Sequence, residues 1–192
     1  MFAVSANFKA YSNYSRMEYS HKIIEDLMQK FKPAIGADYE KYKNHVYRVF
    51  SNCLLIDSDK NNEEKYAIAA VFHDIGIWTD HTINYLNPSV EQAKIYLTET
   101  GKQDWINEIS LMIYWHHKMS KYKGEHEKIA ETFRKADWID VSLGLVSFGF
   151  DKKKIKAARR RLPNRGFHLF LIKQIIKNFF KHPLNPLPMF KK

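Results

Sequence analysis

Residues 62–80 read NEEKYAIAAVFHDIGIWTD, and this stretch decides the fold. Glu63 and Glu64 stand where the first turn of a helix favours negative charge. The run AIAAVF that follows Tyr66 is apolar around its whole circumference, which predicts a central helix buried on every side. The spacing predicts a helix from about Asn62 that stops near Gly76. Its C-terminal end delivers an imidazole, His73, and a carboxylate, Asp74, into or beside the core.

Outward from this helix the chain keeps helical periodicity. There is no sustained apolar/polar alternation and no Asn-Gly or Asp-Gly hairpin signal. Helices are expected over about Tyr19–Phe31, ended by Pro33 and Gly36, and over about Asp38–Ile56. Pro88 is expected to open PSVEQAKIYLTET, with Gly101 at its end. Further helices are expected over about Asp104–His117, Glu125–Leu143, Asp151–Leu162 and Phe167–Lys181. The fold class is all-α: a compact helical domain over residues 1–150 and a basic helical C-terminal appendage over residues 151–192.

Composition bounds the rest. The chain has 192 residues, 45% hydrophobic and 27% charged, an ordinary globular balance that excludes intrinsic disorder. Cys53 is the single cysteine, so there is neither a disulfide framework nor a cysteine-based zinc knuckle. No run of apolar residues is long enough to span a bilayer. The opening MFAVSANFKAYS lacks the basic-then-apolar order of a signal peptide, so a cytoplasmic location is expected. The net charge of +10 is unevenly divided. Residues 1–150 hold 18 Lys+Arg and 20 Asp+Glu, whereas residues 151–192 hold 13 Lys+Arg against Asp151 alone. The basic character belongs to the appendage.

Several helices carry ionisable groups on their apolar faces. His45 shares a stripe with Tyr42, Val46, Val49, Phe50, Cys53 and Ile56. His116 continues Trp105, Ile109 and Met112, with His117 on the flank. Asp137 follows Phe133 by four and Asp140 follows Ala136 by four. His21 lies near the start of the first helix, on a face the pattern does not assign. An uncompensated buried carboxylate costs several kcal/mol or is neutralised by a shifted pKa. Two compensations are open: pairing with Arg48 or with histidines, or a divalent cation that gathers the set. The N and O ligands available suit Mn, Fe, Co, Ni, Zn or Mg.

His45, the pair His73-Asp74 and Asp137 stand in that order on separate helices, within NHVYRVF, AAVFHDIGIW and RKADWID. This arrangement, over residues 38–145, resembles the HD-domain superfamily of metal-dependent phosphohydrolases. The resemblance implies an all-helical fold in which His45, His73, Asp74 and Asp137 ligate one or two divalent ions per chain. It implies hydrolysis of a phosphoester, a phosphorylated small molecule or nucleotide, by a metal-activated water. His116, His117 and His81 stand where further ligands of some members lie. Asp74, His116 and Asp80 are the candidate catalytic groups. Arg48, His117 and Lys118 are the candidate substrate contacts. With extra histidines the same scaffold also carries dinuclear-iron oxygenases.

The appendage has no counterpart in that resemblance. Lys173, Lys177 and Lys181 step by four beside Phe167, Phe170, Leu171, Ile175 and Phe179, after KKKIKAARRR. Such a basic amphipathic helix suits an anionic membrane surface, nucleic-acid phosphates, the body of the protein or a second copy. A non-catalytic module that docks a nucleotide, RNA or membrane is therefore the rival from another class. The sequence leaves the oligomeric state open.

Overall fold

The computed structural model describes residues 20–185 and 187–190. The N-terminal stretch read for targeting, the expected helix start at Tyr19 and the two terminal lysines lie outside the described residues. The described residues are helical with no strand.

Helix α1 (Lys22–Ile35) buries Ile24, Leu27, Met28, Phe31 and Ile35 at helical spacing. It runs through Pro33, where the sequence pattern expected an end. Pro33 faces solvent, where the carbonyl left by its missing N–H is open to hydration, and the extra turn brings Ile35 into the core. Gly36 then ends the helix at φ 59°, a conformation that costs a glycine little. Helix α2 (Tyr39–Ile56) follows after one tight turn and buries His45 and Arg48 among its apolar residues.

Helix α3 (Glu63–Phe72) is the axis of the molecule. Every residue from Tyr66 to Phe72 is buried, and α3 contacts α1 and α2 on one side. On the other it meets α5 (Leu86–Glu99) and α6 (Ile106–Trp115). Tyr42 of α2 ties itself to this axis by donating its hydroxyl to the Val71 carbonyl at 2.7 Å. The chain turns at His73–Ile75 and resumes as the short α4 (Gly76–Thr79). Gly76 is needed at this turn. A Cβ there would stand 2.6 Å from the Tyr85 carbonyl oxygen and 2.9 Å from Pro88 Cβ. Its N–H donates to Ser89 Oγ at 3.0 Å. The start of α5 thus presses directly on the turn that presents His73 and Asp74. Helix α5 opens two residues before Pro88, which sits in the first turn where no N–H is required.

Helix α7 (Glu127–Val141) packs along α2 and closes the body. Asp151 caps α8 (Lys152–Arg161) by accepting from Lys153 N at 2.8 Å and Lys154 N at 3.4 Å. Helix α9 (Phe167–Lys181) follows. The basic stretch sits on the body: α8 and α9 both pack against α2. Asn44 Nδ2 donates to the Pro163 carbonyl at 2.8 Å, and Phe170 stacks on Trp78 with ring centroids 5.4 Å apart.

Candidate metal centre

Four helices converge on one buried point. Helix α2 brings His45, the end of α3 brings His73 and Asp74, the end of α6 brings His116 and His117, and α7 brings Asp137. His45, His73, Asp74, His116 and Asp137 are each at most 2% exposed. The His117 side chain, at 14%, has more access to solvent.

Each imidazole is held from behind. His73 follows the last turn of α3, and its Nδ1 meets the Ala70 carbonyl at 2.8 Å. His116 ends α6 in the same way, with Nδ1 on the Ile113 carbonyl at 2.5 Å. In both, Nδ1–H satisfies a carbonyl that the helix terminus leaves unpaired. His45 turns its Nδ1 to Asp140 Oδ2 at 2.7 Å. With Nδ1–H donating outward, Nε2 of each ring faces the centre and presents a lone pair there whenever the ring is neutral. Two helix C-termini, each the negative end of a dipole, also face it.

The inner atoms fall into two adjoining sets. His45 Nε2 and His73 Nε2 are 2.9 Å apart. Asp74 Oδ2 lies 3.6 Å from His45 Nε2 and 3.4 Å from His73 Nε2. Asp137 Oδ1 lies 3.6 and 3.8 Å from the same two nitrogens. The other oxygens turn to the second set, with Asp74 Oδ1 3.5 Å from His116 Nε2 and Asp137 Oδ2 3.7 Å from His117 Nδ1. Nitrogen and oxygen ligands at about 2.0–2.2 Å from one ion stand roughly 3–3.6 Å from each other, so these separations are those of a ligand shell. Asp74 Oδ1, His116 Nε2 and both Asp137 oxygens are buried without a hydrogen-bond partner. Orphaned lone pairs of this kind are costly unless a cation takes them up. His45, His73 and Asp74 offer ligand atoms close enough together to hold a divalent ion, and Asp74, His116 and His117 form a second such group.

The electrostatics agree. Burial, opposed by the Asp74 charge and reinforced by the nearby His45 and His116, pushes His73 down to about 3. Burial opposes ionisation of Asp74, but His73, His116 and His45 hold it well below the usual carboxylate range. Burial pushes Asp137 up to about 7 against the pull of His116 and His45. His45 is lowered by burial but raised more by Asp140, Asp74 and Asp137, to about 9.

A layer behind the ligands fixes them. Asp140 takes Arg48 on both oxygens, Nε at 2.6 Å and Nη2 at 2.9 Å, besides His45. Arg159 of α8 adds Nη1 on Asp140 Oδ1 at 3.0 Å. Phe167 of α9 stacks on the His45 ring at 4.2 Å. Tyr85 pairs its hydroxyl with His117 Nε2.

The residues singled out from sequence therefore separate. His45, His73, Asp74, Asp137, His116 and His117 come together. Arg48, expected at the substrate, is instead buried behind the centre, with Nη1 on the Leu162 and Pro163 carbonyls at 3.0 and 3.4 Å and the remaining donors on Asp140. Asp80 is exposed beyond α4 and accepts the Thr79 hydroxyl at 2.7 Å, because the turn after Gly76 carries it outward. His81 is exposed in the loop at φ 51°. Lys118 is mostly buried beside His117, its ammonium 5.1 Å from the Tyr114 ring. His21 stands at the start of α1 with its ring against Phe50, away from the cluster. The inward spacing of Asp140, four after Ala136, signalled its place, and it takes both kinds of partner that were open to it, a histidine and Arg48. Tyr85, Arg159 and Phe167 carried no such signal.

Residues 42–142 match the family model of the HD domain. Comparison with curated proteins and with solved structures gives no match.

Proposed function

The chain belongs to the HD domain family, and from that premise we propose that it is a metal-dependent phosphohydrolase acting on a phosphoester of a small molecule or nucleotide. The observation that carries the reading is the gathering of His45, His73, Asp74, His116 and Asp137 at one buried point, where Asp74 Oδ1, His116 Nε2 and both Asp137 oxygens lack a hydrogen-bond partner. When bound, a divalent ion supplies a water of lowered pKa and neutralises charge on the phosphoryl oxygens. His45, His73, Asp74 and Asp137 would hold it, and His116 and His117 would hold a second.

The chain's own groups do the rest. Asp74 and Asp137 offer an oxygen to each set, so they position both halves of the centre together. His117 is the member of the cluster most accessible to solvent, so its edge suits the incoming phosphate. Tyr85 holds the His117 imidazole at Nε2, which leaves Nδ1 facing Asp137. The walls of Tyr42, Tyr85 and Phe167 exclude bulk water, which strengthens charge stabilisation inside.

The test joins elemental analysis to phosphate release. Purified protein and its Asp74→Ala variant are assayed for bound metal and for hydrolysis of a panel of nucleotides and aryl phosphates with Mn, Mg, Ni, Zn or Fe. The reading expects one or two ions per chain, phosphate release with at least one metal, and loss of both in a still helical Asp74→Ala. A protein that takes up none of these metals sinks it. The sharing of Asp74 between two adjoining groups also favours a second reading, a dinuclear-iron oxygenase, which requires two irons and oxygen consumption in the same preparations.

A further inference from the structure

Helix α9 is clothed on one face only. Phe167 is buried against His45, Phe170 stacks on Trp78, and Phe170 and Leu171 pack against the core. The opposite face carries Leu169 at 65% exposure, Ile172 and Ile176 at 51%, Phe179 at 50% and Phe180 at 79%. These positions follow helical spacing, so the five side chains form one continuous apolar stripe. Lys173, Lys177 and Lys181 are exposed and run along a single flank of it. Helix α8 adds exposed Lys152, Lys153, Lys154, Lys156, Arg160 and Arg161.

We propose that this outer face of α9 docks on an anionic membrane surface, with the stripe entering the headgroup–acyl boundary and the lysines meeting lipid phosphates and carboxylates. Two observations select this occupant. Residues 151–192 carry 13 cationic side chains against one acid. A second copy would bring two such faces together, and like charges would oppose the contact. Nucleic acid would satisfy the lysines but would leave five large apolar side chains without a partner, because its outer surface is phosphate and sugar. An anionic bilayer answers both halves of the face at once. No helix among the described residues is long and apolar enough to cross a membrane, so the docking is peripheral.

The full chain is to be mixed with vesicles of phosphatidylcholine alone or with phosphatidylserine added, and bound protein recovered by flotation. Single-stranded RNA and a sedimentation measurement without lipid run in parallel. Phe180→Glu and Ile176→Glu test the stripe, and Lys173→Glu with Lys177→Glu tests the flank. Helicity by circular dichroism and melting temperature establish that each variant is folded. The expected result is flotation with phosphatidylserine vesicles and little with neutral ones. A loss of about tenfold or more is expected in each stripe variant and in the lysine pair, since each cation contributes roughly fivefold at such a surface. Failure to float with anionic vesicles overturns the proposal. So does flotation that Phe180→Glu leaves unchanged, which assigns the face to polyanions through charge alone. RNA binding that surpasses vesicle binding and survives Phe180→Glu, or a lipid-free dimer that Phe180→Glu dissolves, also overturns it.

Discussion

Asp140 acts on the centre through His45. Its carboxylate is almost fully buried, yet it bonds His45, Arg48 and Arg159 together. Burial works against its charge, and His45 and Arg48 nonetheless hold its pKa far below the ordinary range. Asp140→Asn keeps the shape and removes the charge that steadies the His45 ring. Metal affinity, read by competition with a coloured chelator, is expected to fall about 10–100-fold. Unchanged affinity would mean that His45 is oriented by Phe167 alone. Asp140→Ala goes further and strands Arg48 and Arg159, at a cost of about 3–5 kcal/mol. At this scale the sequence was readable where a residue's face and spacing determine its fate, as for His45, His73 and Asp137. Arg48 was not readable, because an inward arginine serves a substrate or a buried carboxylate equally well. The deciding partner, Asp140, lies on another helix. Asp80 failed for a different reason: six residues after Asp74 the chain has already turned outward, and periodicity does not describe turns.

Helix ends, more than helix interiors, build this molecule. The apolar run of α3 announced its central position, but the turn that aims His73 and Asp74 depends on Gly76 lying against Tyr85 and Pro88. Gly76→Ala places a Cβ 2.6 Å from a backbone oxygen that cannot swing aside. Overpacking of this kind costs about 1–3 kcal/mol. A melting temperature lower by several degrees is expected, together with weaker metal binding, since the strain falls on the ligand turn. A variant as stable as the parent would show that α5 yields easily. Helix α7 offers an acid-sensitive test away from the ligands. Glu131 is buried and takes Arg134 on both oxygens at 2.7 Å, while Tyr122 N donates to Oε1 at 2.7 Å. Burial raises its pKa, but Arg134 and the Tyr122 amide lower it more, to a net value below the ordinary one. A depressed carboxyl stabilises the fold above its unfolded pKa, near 4.3, and that contribution is lost as pH falls through the folded value. Melting curves against pH should therefore fall less steeply below pH of about 4 in Glu131→Gln than in the parent. Parallel acid limbs would show that Glu131 contributes no linkage. The longer helices were legible from the 3.6-residue period, whereas the single turn of α4 (Gly76–Thr79), too short to show a period, lay where the pattern predicted a loop. Their boundaries were less so: Pro88 does mark the opening of α5, but Pro33 is tolerated on a solvent face that composition alone does not reveal.

Across the whole molecule, the charge split visible in the sequence becomes a spatial arrangement. The near-neutral body encloses the centre, and the basic α8 and α9 rest on α2 and complete the wall behind His45. The ligands come from helices separated by up to about 90 residues of chain, so nothing local holds the cluster together. In the metal-free state its partnerless carboxylate oxygens and facing nitrogens oppose folding, and a bound ion turns the same atoms into cross-links between α2, α3, α6 and α7. An ion that binds only the folded chain stabilises it by mass action, by about 2.7 kcal/mol at a free concentration one hundredfold above its dissociation constant. For a chain of this length that corresponds to roughly 5–10 °C in melting temperature. Stripping the protein with a chelator should lower its melting temperature by that amount, and returning Mn or Ni should restore it. His73→Ala should lose most of this response, because the first set then lacks a nitrogen. If the parent is indifferent to chelator and to added metal, the converging atoms are not a resident ion's shell. If His73→Ala responds as fully as the parent, the ion that stabilises the fold sits on Asp74, His116 and His117 instead.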